Sequence, residues 1–285
     1  MKSEWLAPAK INHFIHILGR RCDGYHDIQT IFQFVALAEK LELSPRKDGK
    51  IIGSYKTPGI KFKDDLVYKS ASLLQATSGT NLGVNVVLKK QIPVGGGLGG
   101  GSSNAATMLV ALNELWKLGY TPKQLMSLGA SLGSDVPIFV FGQSAWAEGR
   151  GEMLEPIELN EKVILLLFPN VSVSTKSIFS NPLLPRDSSP IEKADWETVK
   201  VKNDFLGITT KMYPEVERAL FWLSSQTKQV FMSGTGSTLF ALFDSDIEAK
   251  KVKNMVPHEW NSLITKCLNR SPLFKSLEAY QNITS

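Results

Sequence analysis

The stretch IPVGGGLGGGSSNAATMLVALNELW, from Ile92 to Trp116, holds six glycines in seven residues before an apolar, helix-like run. This many glycines cost more backbone entropy than a simple turn requires. Glycines expose backbone N–H groups to an anion, and the N-terminus of the following helix adds a partial positive charge. We therefore predict that this loop binds phosphate. The residues that we assign to phosphate binding are Pro93, Gly95, Gly96, Gly97, Leu98, Gly99, Gly100, Gly101, Ser102 and Ser103.

Two familiar classes of glycine-rich loop fit this stretch less well. Gly95, Gly97 and Gly100 satisfy the GxGxxG pattern, but in dinucleotide-binding domains that pattern opens the first βαβ unit and an acidic residue follows about 20 residues later. Here the corresponding region is ELWKLGYTP, within a predicted helix and loop. A Walker A loop has lysine after its last glycine, and Ser102 stands there instead. A tight connection between a strand and a helix, with no ligand, is the remaining alternative.

Composition limits the classes of partner. The chain has 285 residues, of which 43% are hydrophobic and 21% charged, as expected for a globular protein of one large or two ordinary domains. Its net charge is +5, and no block of Lys and Arg indicates a nucleic-acid partner. No signal-peptide core or membrane-length apolar run is present, so we expect a cytoplasmic location without membrane contact.

The chain has two cysteines, Cys22 and Cys267. They fit no metal-binding pattern and are expected to be reduced.

The apolar pattern mixes strands and helices without a regular βαβα alternation, which favours an α+β protein of two domains. We predict helices in DLVYKSASLLQATSG, after the glycine loop, in TPKQLMSLGASLG, in YPEVERALFWLSSQ and, as the last one, in DIEAKKVKNMV. Extended structure is predicted for INHFIHIL, LGVNVVLKK, SDVPIFVFGQSAWAEG, KVILLLF and both sides of SGTGS, with a hairpin within Ser44–Asp65. The predicted domains are residues 1–155, with the phosphate loop, and residues 156–285, which bind the substrate.

Three segments together resemble the motifs of the GHMP kinases. They are PAKIN (Pro8–Asn12), PVGGGLGGGSSNAA (Pro93–Ala106) and SGTGS (Ser233–Ser237), in the order and spacing of that family. The family includes galactokinase, homoserine kinase and mevalonate kinase. The resemblance implies an N-terminal domain like ribosomal S5 domain 2, a ferredoxin-like C-terminal domain, and ligands between the two. It also implies ATP and Mg²⁺, although the sequence does not indicate the protein ligands of the metal.

Three further segments are similar to one branch of this family. They are DGYHDIQT (Asp23–Thr30), GSDVPIFVFG (Gly133–Gly142) and AWAEGRGE (Ala145–Glu152). In that branch, which serves isoprenoid precursor synthesis, the acceptor is a small polyol that carries cytidine diphosphate and is phosphorylated on its 2-hydroxyl. The alternatives are another GHMP small-molecule kinase of the homoserine or mevalonate type, and a nucleotide-binding homologue without catalysis.

The resemblance also implies roles for individual residues. Asp135 matches the catalytic aspartate that takes the proton of the accepting hydroxyl, and Lys10 would lie beside it and lower the cost of an alkoxide-like nucleophile. From the sequence alone Asp135 would more often be a cap or turn residue and Lys10 a solvated side chain. Tyr25 would stack on cytosine, His26 would contact the edge of the base, and Phe179 would cover its other face. The residues implied to bind substrate are Asn12, Tyr25, His26, Thr175, Phe179, Gly234 and Gly236.

Two positions depart from the family pattern. Leu206 ends NDFL (Asn203–Leu206) where glutamate is commoner, so we expect an acidic contact to be missing there. Asp65 stands where asparagine is expected near the adenine. An amide both donates and accepts hydrogen bonds, whereas an ionised carboxylate only accepts. A role of Asp65 in adenine binding is therefore left open.

Overall fold

The structure, a computed structural model, describes residues 2–55, 57 and 59–284. The strands are β1 (Ser3–Arg20), β2 (His26–Arg46), β3 (Ile51–Gly53), β4 (Gly83–Lys89), β5 (Ala145–Glu148), β6 (Met153–Pro156), β7 (Val163–Phe168), β8 (Val230–Met232), β9 (Leu239–Phe243) and β10 (Asn261–Leu268). The helices are α1 (Leu66–Ser78), α2 (Gly100–Leu115), α3 (Pro122–Leu132), α4 (Val136–Phe141), α5 (Thr175–Phe179), α6 (Leu206–Met212), α7 (Pro214–Gln226), α8 (Asp246–Asn254) and α9 (Pro272–Thr284).

A long antiparallel hairpin of β1 and β2 forms the centre of the sheet. On its other edge, β2 pairs with β4 and β5. β10 pairs with both β2 and β7, which extends the sheet through β9 to β8. The β1–β2 register shifts between Pro8 and Ala9 and again between Asn12 and Ile15. Such bulges change the direction of a strand and of its side chains. Lys10 and Asn12 therefore lie in a short segment of β1 with an irregularity on each side.

The two largest of four apolar clusters among the described residues pack helices on this frame, and the predicted α+β class is confirmed. In the first, α1, α2 and α4 pack on β1, β2 and β4 through buried residues such as Phe34, Leu109 and Phe139. In the second, α6, α7 and α8 pack on β7 and β9 through residues such as Leu165 and Leu223. No helix within the described part of the chain is long and apolar enough to cross a membrane.

Several predicted helix boundaries are confirmed. α1 ends at Gly79, which has φ +69° and is the left-handed C-cap expected there. The N-cap of α3 is Thr121, whose side chain forms a capping box with Gln124, and Pro122 occupies the first turn. Both boundaries could be predicted because each capping residue directly adjoins its own helix in the sequence.

Two predictions of extended structure are wrong. Residues 136–141 form α4, because Pro137 lies in the first helical turn, where a missing N–H breaks no intrahelical hydrogen bond. The expected hairpin within Ser44–Asp65 is absent from the described residues of that segment. β3 instead pairs with β4 in parallel, and the Val84 N–H donates to the Lys50 carbonyl at 3.0 Å.

The chain also has a helix after the one predicted to be last. α9 repeats apolar residues at Leu273, Leu277 and Tyr280 and packs them into the first core, against β1. The predicted boundary between residues 155 and 156 lies at the end of β6. Since α9 comes from the second half of the chain and packs on the first, the division into 1–155 and 156–285 stays a prediction.

The docking of α9 can be tested at Gly142, which follows α4 with φ +72°. A Cβ there would overlap the ring of Phe274 on α9, whereas a Cβ on Gly119, which has φ +73°, would meet no atom within 4 Å. We expect Gly119→Ala to lower the free energy of unfolding by about 1–2 kcal/mol, the cost of a left-handed alanine. Gly142→Ala should lower the free energy of unfolding by roughly a further 1–3 kcal/mol, because the Phe274 ring must move. Denaturant unfolding of both variants measures this, and equal losses would contradict the packing described here.

Candidate active site

Lys10 is a buried lysine at the centre of the site. It lies on β1, and its side chain is only 3% exposed. Its Nζ donates to Asn12 Oδ1 at 2.7 Å and to the carbonyl oxygen of Gly97 at 3.1 Å, and it lies 3.5 Å from Asp135 Oδ2. A buried ammonium group is costly unless it is paired and hydrogen-bonded. These three acceptors meet that requirement and fix the position of the charge.

Asp135 stands directly before α4 but does not cap it through its side chain. The carboxylate is 36% exposed, so one side of it faces Lys10 and the other the solvent of the cleft. A carboxylate in this position can accept a proton from a hydroxyl group in the cleft. The structure thus brings together the two residues predicted to be catalytic, although they lie far apart in the sequence.

The glycines of the loop are required by close packing against the protein itself. Gly95, Gly97 and Gly99 have φ between +70° and +74°. A Cβ on Gly97 would overlap the carbonyl group of Ser233, and one on Gly99 would lie 2.7 Å from the Phe139 ring. Some of the glycines that led us to predict a ligand are therefore needed for packing within the chain.

The loop nevertheless presents donors to a ligand. Its carbonyl oxygens point inward: Gly95 accepts from the Val173 N–H at 3.1 Å, Gly96 from the Thr238 N–H at 3.2 Å, and Gly97 from Ser233 Oγ at 2.9 Å. Within the described residues, none of the backbone N–H groups of residues 97–102 donates a hydrogen bond to the protein. Since residues 97–102 line the cleft at the start of α2 and their N–H groups have no partner among the described residues, these groups are available to an anion bound there.

A buried carboxylate that the sequence analysis missed holds the beginning of the loop. Glu39 is fully buried on β2, and it accepts from the Ile92 N–H at 3.0 Å and from Asn104 Nδ2 at 2.6 Å. It also pairs with Lys90 Nζ at 2.9 Å. The signal was available, because Glu39 occupies an inward position of an alternating strand whose inward neighbours Leu37 and Leu41 are apolar.

Aromatic side chains form the other end of the cleft. Tyr25 is 53% exposed, and the Arg150 guanidinium lies 4.8 Å from its ring centroid. The rings of His26 and Phe179 are 5.2 Å apart at an interplanar angle of 37°. Arg186 Nε donates to His26 Nε2 at 3.0 Å. The pKa of His26 is lowered from its ordinary value, first by burial and then by the positive charge of Arg186 and of Arg20.

One continuous cleft of about 820 Å³ connects these groups. The predicted site residues that line it are Lys10, Asn12, Tyr25, His26, Pro93, Gly95, Gly96, Gly97, Leu98, Gly99, Gly100, Gly101, Ser102, Asp135, Thr175, Phe179 and Gly234. Ser103 and Gly236 do not line it. Ser103 is fully buried, and Gly236 packs against Met232 and Thr209. Thr175 Oγ1 lies 3.1 Å from Thr235 Oγ1 beside Gly234.

Asp65 also lines the cleft and has a structural role. It is the N-cap of α1, and its Oδ1 accepts from the Val67 N–H at 2.9 Å. Its Oδ2 accepts from Thr57 Oγ1 at 2.7 Å. Both oxygens are therefore engaged by the protein, although an asparagine could cap α1 equally well.

A glycine-rich loop at a helix N-terminus, beside a buried lysine and a carboxylate in one cleft, is a site of the kind that small-molecule kinases use. The GHMP kinases N terminal domain matches residues 65–143, and the GHMP kinases C terminal domain matches residues 192–262. The chain belongs to the GHMP kinase family. The resemblance read from the three motifs, and the two-domain fold that it implied, are confirmed.

Several relatives of the chain are named for a more specific activity than that of the family. The chain is 46% identical over 274 residues to 4-diphosphocytidyl-2-C-methyl-D-erythritol kinase of Nitrosococcus oceani, covering 96% of this chain and 98% of that one. A solved structure of 4-(cytidine 5'-diphospho)-2C-methyl-D-erythritol kinase is similar with a TM-score of 0.79 and 30% identity, over 93% of this chain and 98% of that one. A homoserine kinase from Cytophaga hutchinsonii shares only the fold, with a TM-score of 0.64 and 16% identity over 95% of both chains.

The close approach of the loop to the Ser233 carbonyl can be tested with Gly97→Ala. Gly79, with φ +69° and no atom within 4 Å of a Cβ position, gives the matched control Gly79→Ala. Both variants should lose about 1–2 kcal/mol of stability for a left-handed alanine. Only Gly97→Ala should also displace the loop and weaken ATP binding, by about tenfold or more, which corresponds to about 1.4 kcal/mol. Calorimetric titration with ATP measures this. Wild-type affinity in a folded Gly97→Ala protein would show that the contact does not position the loop.

Proposed function

We propose that the protein transfers the terminal phosphate of ATP to the 2-hydroxyl group of 4-diphosphocytidyl-2-C-methyl-D-erythritol, a step of isoprenoid precursor biosynthesis. The observation that carries this proposal is the position of Lys10 and Asp135. They lie in one cleft, with the free N–H groups of the loop near them and the aromatic rings of Tyr25 and Phe179 along the same cleft. The relatives named for this activity match nearly the whole chain.

Proton transfer is assigned to Asp135. Its carboxylate accepts the proton of the attacking 2-hydroxyl as that oxygen bonds to the terminal phosphorus of ATP and the bond from this phosphorus to the oxygen of the leaving ADP breaks. The Lys10 ammonium lies 3.5 Å from Asp135 Oδ2. It stabilises the negative charge that develops on the attacking oxygen. Because Asn12 and the Gly97 carbonyl hold Nζ in place, this stabilisation requires no rearrangement during the reaction.

The glycine loop is assigned to the phosphates of ATP. Phosphoryl transfer depends mainly on positioning and on charge stabilisation. The N–H groups of residues 97–102 supply donors to phosphate oxygens, and the α2 N-terminus adds its partial positive charge. Lys10 contacts the Gly97 carbonyl, so the donors and the base are held in a fixed relation to each other.

Mg²⁺ fits this donor set as an ion held mainly by substrate phosphates and water. The described residues contain no group of three or more His, Cys, Asp or Glu side chains that could hold a metal. Mg²⁺ commonly binds through one or two protein oxygens and the phosphates of its nucleotide. The Ser102 hydroxyl, at the start of α2 in the cleft, is the protein oxygen that would hold it, while the Asp135 carboxylate stays free for the proton. When bound, the ion would neutralise phosphate charge.

The aromatic end of the cleft is assigned to the cytidine of the acceptor. Tyr25 and Phe179 offer flat faces for a pyrimidine, and His26 offers a ring nitrogen to its edge. Asn12, Thr175 and Gly234 also line the cleft and are assigned to the rest of the acceptor. A homoserine or mevalonate acceptor has no base that would use the aromatic rings. The Lys10–Asp135 pair argues against a homologue without catalysis.

The proposal is tested by ADP release in the presence of ATP and Mg²⁺. We expect turnover with 4-diphosphocytidyl-2-C-methyl-D-erythritol and only background rates with homoserine, mevalonate or galactose. Tyr25→Ala should raise the KM for the cytidine acceptor about tenfold, because a stacking interaction of about 1–3 kcal/mol per base is lost. The KM for ATP should not change.

Phe221→Ala is the matched control, since Phe221 is 80% exposed on α7 and does not line the cleft. It should leave both KM values unchanged. Turnover with homoserine or mevalonate, and none with the cytidine acceptor, would place the protein in another branch of the family.

A further inference from the structure

Arg186 connects the end of α5 to His26. Its Nε donates to His26 Nε2 at 3.0 Å, while Nη1 donates to the Leu184 carbonyl at 3.0 Å. Its Nη2 donates to the carbonyls of Phe179 at 3.0 Å and Asn181 at 2.9 Å. A guanidinium group presents its donors in a rigid plane. With three backbone carbonyls fixing that plane, the direction of the Nε–H bond toward His26 is also fixed.

This hydrogen bond determines the protonation of His26. Arginine is always charged and can only donate, so His26 Nε2 must accept and therefore carries no proton. Burial and the positive charges of Arg186 and Arg20 lower the pKa of His26, which favours the neutral ring. In a neutral imidazole with a bare Nε2 the proton is on Nδ1. His26 Nδ1 has no hydrogen-bond partner within the described residues, and it is not sealed from solvent.

We propose that Arg186 is a positioning residue that holds His26 as an Nδ1–H donor and thereby makes the acceptor pocket select cytosine over uracil. The inference rests on the proposed function, because it concerns the base of the proposed acceptor. Ring atom N3 of cytosine has a lone pair and accepts a hydrogen bond, whereas N3 of uracil carries a hydrogen. A donor fixed opposite this atom is satisfied by cytosine and opposed by uracil.

The geometry of the pocket supports this placement. The Phe179 ring packs on His26 at 5.2 Å, and the same residue's carbonyl accepts from Arg186. A base lying between Tyr25 and Phe179 therefore meets the edge of an imidazole that the Arg186 hydrogen bond has already oriented. Without that bond His26 could exchange tautomers or turn, and it could then accept from the N3–H of uracil. The selectivity would be lost while the stacking faces remained.

The tautomer is measured on the wild-type protein by ¹H–¹⁵N correlation of the histidine side chains, with His26→Asn used to assign the His26 signals. We expect His26 Nδ1 to have the shift of a protonated nitrogen and Nε2 that of a bare one. A protonated Nε2 at neutral pH would overturn the proposal. This measurement needs no substrate, so it is independent of the proposed activity.

Selectivity is measured by titrating the wild type and two variants with CDP and with UDP. Arg186→Met should reduce the preference for CDP about tenfold, the value of roughly one hydrogen bond of about 1.4 kcal/mol. Arg150→Met is the matched control, since it removes a cleft arginine that contacts Tyr25 and not His26. Arg150→Met should weaken the binding of CDP and of UDP equally, so the ratio of the two affinities should not change.

Failure of the inference about Arg186 and failure of the proposed function give different results. An unchanged CDP-to-UDP ratio in Arg186→Met, with normal CDP binding by the wild type, overturns the role of Arg186 and leaves the proposed function standing. If the wild type binds neither CDP nor UDP, the proposed function fails together with the selectivity that depends on it. Loss of the preference in Arg186→Met but not in Arg150→Met supports the proposal.

Discussion

The ammonium group of Lys10 is enclosed by protein, and a buried positive charge is tolerated only where fixed acceptors surround it. Its acceptors come from three separate elements: Asn12 on the same strand, the Gly97 carbonyl of the glycine loop, and the Asp135 carboxylate before α4. The bulges on each side of this part of β1 set the direction of the lysine. The loop and the carboxylate are therefore held at defined distances from one charge, and the chemistry of the cleft depends on that arrangement.

The glycine loop shows how packing within the chain can prepare a ligand site. Its carbonyls are engaged by Lys10, Ser233, Thr238 and Val173, all on the protein side. Because the carbonyl oxygens face inward, the N–H groups of residues 97–102 are left to the cleft. A side chain at Gly97 would push the loop away from the Ser233 carbonyl. The same glycine thus serves the contact between the two halves of the chain and the presentation of donors.

Features encoded by neighbouring residues were predictable from the sequence, and those that depend on distant contacts were not. The Thr121 capping box, the Gly79 cap and the glycine loop all lie within short segments. Proximity of Lys10 and Asp135 followed from the family resemblance and not from any local pattern. α4 was missed because a proline in the first turn looks like a helix breaker. Arg186 lies in a connection rich in proline, where no periodicity indicates that its side chain reaches His26 across 160 residues.

A double-mutant cycle of Lys10→Met and Asp135→Asn, read as kcat for ADP release with the cytidine acceptor, tests the central claim most directly. Each single variant should lower kcat by about a hundredfold to ten-thousandfold. If the two side chains act together on one hydroxyl, the double variant should be about as slow as the slower single variant, since residues that act as a unit are not additive. Losses that multiply, or a Lys10→Met variant with wild-type kcat, would contradict the account.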